Sequence, residues 1–116
     1  MAISRESIPA VVVPETEVPC APLGGDVVVR PMDLVELLLF NEKRNEVKAL
    51  LDGETEAQAD ARRMNVILPW VLARCVLADD RQPVYSEQEW RIWCAKHLPE
   101  GYELFAAATV GAEKKT

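Results

Sequence analysis

Three short segments constrain this chain more than anything else in it: Asp33-x-x-Glu36, Thr55-x-x-Gln58 and Ser86-x-x-Glu89. In each, the first side chain can accept from a free backbone N–H of a first helical turn. The Glu or Gln three residues on reaches back to the cap's own N–H. Helix starts are therefore predicted at Asp33, Thr55 and Ser86. Two copies share a longer design, in which an extended apolar stretch runs into the cap: Val27-Val28-Val29-Arg30-Pro31-Met32 before Asp33, and Pro83-Val84-Tyr85 before Ser86. Met32 and Tyr85 are placed to pack on Leu37 and Trp90, a hydrophobic staple at each start.

The first helix is predicted from Asp33 to about Leu51, with Asp52-Gly53 as its stop. Leu37-Leu38-Leu39-Phe40 makes it apolar nearly all round at one end, whereas Asn41 to Glu46 is polar all round. That contrast fits either a core position or a surface that docks on a partner. The second helix, from Thr55, carries Ala57, Ala61, Met64, Leu68, Leu72 and Cys75 on one face and becomes wholly apolar beyond Asn65. Pro69 offers no N–H to the carbonyl of Asn65, so a kink or a junction of two helices is expected there. The third helix, Ser86 to about Leu98, sets Trp90, Trp93, Cys94 and His97 on one face. Pro99 ends it, and a fourth starts near Glu100, carries Leu104, Phe105 and Ala108 inward and stops at Gly111.

Ahead of these helices, residues 1–9 have no periodicity and are predicted disordered, as is the tail 111–116. Ala10-Val11-Val12-Val13 is β-like but is cut by Pro14, and prolines 9, 14, 19 and 22 restrict the region to edge strand or extended loop. After the turn cluster Pro22 to Asp26, Val27 to Arg30 either fold back on the earlier valines as a hairpin or continue an extended arm. The expected fold is mainly α, a small bundle of about four helices with a short N-terminal β-hairpin or extended arm. Residues 10–110 form its single domain, with 10–30 as the extended segment.

With 116 residues the chain has room for one core and not for an elaborate cleft as well. Its net charge is −6, and its basic residues are scattered apart from short pairs such as Arg62-Arg63 and Lys114-Lys115. Phosphate-backbone binding needs a basic footprint, so nucleic acid is rejected as a partner. Three widely spaced cysteines, Cys20, Cys75 and Cys94, suit reduced thiols better than a disulfide framework. The proline-bearing start lacks the apolar core of an export signal. The most apolar run, Val66 to Ala78, is broken by Pro69 and Arg74 and is shorter than the roughly 20 residues a membrane span requires.

No catalytic, cofactor or metal site is expected. Cys94 and His97 lie one turn apart, but a zinc site needs about four ligands and a nucleophile needs an oxyanion loop, and neither pattern surrounds them. Asp79-Asp80 reads as a turn, since one acidic pair is too few for a cation. Gly24-Gly25 reads as a turn because no Gly-x-x-x-x-Gly-Lys pattern follows. Among the tryptophans, Trp70 is expected inside and one of Trp90 and Trp93 at a rim. Leu38, Leu39, Phe40, Trp90 and Trp93 are the candidate protein-binding residues.

Two segments resemble a known family: Val27-Val28-Val29-Arg30-Pro31-Met32-Asp33-x-x-Glu36, and Cys75-Val76-Leu77-Ala78-Asp79-Asp80-Arg81-Gln82-Pro83-Val84-Tyr85-Ser86-x-x-Glu89-Trp90. In order and pattern, over roughly residues 25 to 110, the chain is similar to the small tail assembly chaperones of long-tailed, siphovirus-like bacteriophages. The resemblance implies a non-enzymatic protein of the infected host cytoplasm, absent from the mature virion. It would coat the tape measure protein and help recruit tail tube protein. It also implies a second, longer product made by a ribosomal frameshift, for which Lys114-Lys115 sits where a slippery run of adenines could lie. The proline-rich lead of residues 9 to 25 departs from the pattern. Composition leaves homo-oligomerisation open and is equally compatible with a small regulatory or inhibitory binding module or a head-tail connector subunit.

Overall fold

The computed structural model describes residues 2–10 and 14–113. Val11 to Val13 of the first β-like run, and Lys114-Lys115, lie outside the described residues. The architecture is mainly helical: four helices and a short N-terminal hairpin that joins a later strand in a three-stranded antiparallel sheet.

The hairpin forms with Val27 to Val29 in its second strand, as expected, and with Thr16–Cys20 as its first. Strand β1 is Thr16–Cys20 and pairs with β2, Gly25–Val29, in a register running from Thr16 opposite Val29 to Cys20 opposite Gly25. On β1 only Val18 and Cys20 turn inward, a period of two that leaves Glu17 and Pro19 on the open side. Pro19 is tolerated because β1 is an edge strand. The turn is a 3₁₀ segment, Ala21–Leu23, closed by Gly24 at φ +89°, a left-handed conformation that favours glycine. Strand β2 lies centrally, with Val27, Val28 and Val29 all buried. Its other neighbour is β3, Val76–Leu77, paired as Val28 with Leu77 and Val29 with Val76. Beyond β3, Asp79 to Gln82 form the expected turn: the Gln82 N–H donates to Asp80 Oδ1 at 3.0 Å, and Arg81 sits at φ +66°.

All three capping boxes are present with both reciprocal bonds. Helix α1 is Leu34–Glu46 and α2 is Glu56–Cys75. Helix α3 is Glu87–Lys96 and α4 is Leu98–Glu113, continuing past Gly111. Both staples have their partners in place: Met32 and Leu37 join the core, and the Tyr85 ring meets Trp90 edge-on at 5.0 Å. Glu36 has a second task. Besides accepting from the Asp33 N–H at 3.0 Å, it receives both Arg30 Nη groups, at 2.7 and 2.8 Å. This fork ties the end of the sheet to the start of α1.

Helix α1 ends five residues before the expected Leu51, because α2 takes up the carbonyls that a longer helix would have used. Arg63 donates to Val47 O at 3.2 Å and to Lys48 O at 2.6 Å, and Arg62 to Ala49 O at 2.8 Å. Asp52-Gly53 is the centre of a turn rather than a helix stop, with Glu54 N–H on Leu51 O at 3.0 Å and Gly53 at φ +76°.

Helix α2 is the central element, burying Ile67, Leu68, Trp70, Val71, Leu72 and Cys75. It is one helix through Pro69 and not two meeting there. The Asn65 carbonyl, which Pro69 cannot serve, accepts from Arg91 Nε of α3 at 3.2 Å. The face read from the sequence holds in the second half of α2. In the first half Ala57 and Ala61 are exposed, and Ala59 is the buried alanine.

The loop between α1 and α2 is pinned by Glu54, which accepts from Arg62 Nε at 2.8 Å, Arg62 Nη2 at 3.0 Å and the Leu51 N–H at 3.0 Å. Chiefly through the Arg62 bonds, its carboxyl is held at about 2 instead of 4.5. The Arg30 fork lowers Glu36 in the same direction. A carboxyl depressed in the folded state stabilises it above the unfolded value, and that contribution disappears as pH falls through the folded value. Stability in urea titrations is therefore expected to fall from about pH 4.5 to about pH 2. Glu54→Gln should be less stable at neutral pH and show a shallower fall over that interval. An unchanged slope would remove Glu54 from the acid response.

Candidate protein-binding surface

Helix α1 packs on α2 along one stripe only, formed by Leu37, Phe40 and, just past its end, Val47. Phe40 is set 6.4 Å from both Trp70 and Phe105, ring centre to ring centre, with the Arg44 guanidinium 5.5 Å from its own centroid. A helix turned this way must send its remaining apolar residues outward. Leu34, Val35, Leu38 and Leu39 are 72%, 64%, 59% and 43% exposed, a contiguous ridge of i,i+3 and i,i+4 neighbours. Scattered exposed leucines need no explanation, but four adjacent on one half-helix, in an acidic chain, make a surface suited to apolar contact.

A second surface surrounds Trp93. Trp90 and Trp93 meet edge-on at 5.2 Å, and Trp93 lies 5.0 Å from His97, extending the row that begins at Tyr85. Trp93 is half-buried, and with Pro22, Tyr85, Ile92, Lys96 and His97 it lines an open cavity of about 340 Å³. No residue of α1 borders that cavity.

The five sequence candidates thus separate. Leu38 and Leu39 stand on the α1 ridge, and Trp93 on the α3 rim. Phe40 and Trp90 are core residues, 7% and 0% exposed. Phe40 belongs to the stripe that α2 covers. Trp90 is enclosed because the capped start of α3 turns it inward, and its indole N–H is buried without an acceptor among the described residues. Leu34 and Val35, the most exposed members of the ridge, are not among those five. Helical spacing carries their signal: once Leu37 and Phe40 mark the inner stripe, positions 34, 35, 38 and 39 fall on the opposite side.

The thiols lie in apolar surroundings. Cys20, Cys75 and Cys94 are all buried, and desolvation pushes Cys75 and Cys94 up to about 11, away from the thiolate that nucleophiles and metal ligands require. Cys94 packs where α4 approaches α3. A Cβ added at Gly101 would stand 3.1 Å from Cys94 Sγ, so glycine permits the two helices to come together. His97 ends α3, with Nδ1 4.0 Å from Glu100 Oε1. No group of three or more His, Cys, Asp or Glu residues able to hold a metal occurs among the described residues, and no helix there is long and apolar enough to cross a membrane. No protein-family model, curated protein or solved structure gives a significant match to the chain.

Proposed function

We propose that this protein is a tail assembly chaperone of a long-tailed bacteriophage, acting in the host cytoplasm without catalysis. It binds the tape measure protein and helps recruit tail tube subunits, then is left out of the finished virion. The observation that carries this reading is the ridge of Leu34, Val35, Leu38 and Leu39, exposed on a helix whose other side is committed to the core. A long helical protein awaiting enclosure by its tube offers apolar stripes that such a ridge can cover, while a chain of net charge −6 keeps the complex soluble. The sequence pattern around both strand-to-helix junctions supports the same assignment, and Trp93 supplies a second point of contact.

Co-expression with the tape measure protein of the same phage tests it. The wild-type chain should keep that protein soluble and co-purify with it. A Leu38→Asp/Leu39→Asp variant, folded by circular dichroism, should lose co-purification, because both side chains point to solvent and two buried carboxylates would have no partner in the complex. Purified particles should lack the chain. Failure of the wild type to co-purify, or its stoichiometric presence in virions, would overturn the assignment.

A further inference from the structure

Charge matching singles out one corner of the molecule. Seven basic side chains each have a carboxylate oxygen within 3.9 Å. Among the described residues Arg44 and Lys48 have none, and both line one open cavity of about 790 Å³. Its other walls are Asn41 and Asn45, one turn apart on α1, and Arg63 of α2. No carboxylate lines it, although acidic residues outnumber basic ones by 19 to 13. The other described cations without a partner are placed differently: Arg5 lies in the exposed N-terminal segment, and Lys96 shares its cavity with Glu89.

Cations beside a helix end ordinarily serve that helix's own carbonyls. Here α2 does so instead, through the bonds from Arg63 to Val47 O and Lys48 O and from Arg62 to Ala49 O. The Arg63 charge is also offset, by Asp60 at 2.8 Å and Glu56 at 3.7 Å. Arg44 rests on the Phe40 ring and Lys48 is exposed. The uncompensated charge of the cavity therefore comes from these two side chains.

We infer that this cavity is a binding site for the phosphoryl groups of a small molecule. Guanidinium and ammonium groups only donate, and the two asparagine amides add further donors, so the walls call for a ligand made of acceptor oxygens. Those walls belong to two helices and the loop between them, and donors entering from several directions suit a tetrahedral oxyanion better than a flat carboxylate. The volume accommodates linked phosphoryl groups. No aromatic ring lines it, so a nucleobase has no platform to stack on. Two uncompensated cations in one cavity also differ from the basic stripe that a polynucleotide requires. Arg44 lies on the Phe40 side of α1, away from the leucine ridge, so the site is independent of the proposed contact with a partner protein. A ligand held by Asn41, Lys48 and Arg63 would tie the end of α1 to α2 and so stabilise the fold.

Inorganic pyrophosphate is the probe, titrated calorimetrically into the full chain at a fixed ionic strength of ~0.15 M. The wild type should bind it and melt at a higher temperature in its presence. Arg44→Gln/Lys48→Gln, folded by circular dichroism, should bind at least about tenfold more weakly, because two charge-assisted contacts are gone. Should the double variant not fold, Lys48→Gln alone, at an exposed position, should still weaken binding several-fold. Arg5→Gln removes the same charge outside the cavity and should leave binding unchanged. Absence of pyrophosphate binding by the wild type, equal binding by the cavity variants, or an equal loss in Arg5→Gln would overturn the inference. Citrate bound as tightly as pyrophosphate would overturn the assignment to phosphoryl groups.

Discussion

Replacing Trp90 by Ala is expected to cost about 3–5 kcal/mol of folding free energy, the range for emptying a fully enclosed tryptophan site. The side chain is 0% exposed and sits between Tyr85, on the link before α3, and Trp93, one turn on. Removing it abolishes both edge-on contacts and leaves a cavity in the core. Domains of this kind have in total about 5–15 kcal/mol, so the variant should sit near the edge of folding at room temperature. Trp93→Ala should cost about 1 kcal/mol, because that ring is only partly buried. Urea unfolding followed by circular dichroism checks both values. A Trp93 variant that unfolds as readily as the Trp90 variant would place Trp93 in the core on equal terms with Trp90.

Glu36→Ala is expected to cost about 2 kcal/mol, the sum of a lost cap interaction near 1 kcal/mol and a forked ion pair of similar worth in its partly exposed setting. The side chain closes the capping box on the Asp33 N–H and holds Arg30 through both oxygens. Glu36→Gln separates the two roles. An amide can still accept from the cap, as Gln58 does at the start of α2 with 2.9 Å to the Thr55 N–H, but it cannot neutralise Arg30. The Gln variant should therefore lose about half as much, and added salt should reduce the difference between Gln and wild type. Equal losses for Ala and Gln would place the whole effect in the ion pair.

Two arginine–glutamate forks, Arg30 with Glu36 and Arg62 with Glu54, differ in how far the sequence reveals them. Glu36 stands at the third helical position of a capping box, so half of its role is written in the spacing. Arg62-Arg63 was only a short basic pair. Its actual work, holding the carbonyls of Val47, Lys48 and Ala49, depends on two segments 13 to 16 residues apart in sequence being folded against one another. Arg91 illustrates the same point. That Pro69 would leave the Asn65 carbonyl unserved follows from the sequence. That a guanidinium 26 residues further on would serve it does not.

The candidate binding surface divides along the same line. A run such as Leu37 to Phe40 is apolar all round, so no pattern within it says which side faces the core. Contact with Trp70 and Phe105 turned Phe40 inward, and Leu38 and Leu39 were left outside with Leu34 and Val35. The strands were harder still. Val76 and Leu77 continue the apolar run that forms α2, and they become β3 because Val28 and Val29 are there to pair with them.

What the sequence by itself determined is the set of helix starts at Asp33, Thr55 and Ser86, the staples beside two of them, and the mainly helical class, because each depends on bonds between residues within a few positions of one another. The tertiary structure decided the strand register, the end of α1, the unbroken course of α2 through Pro69, and which leucines of α1 meet solvent. Those outcomes are set by side chains and backbone groups far apart in the chain, which only the packed core brings within reach.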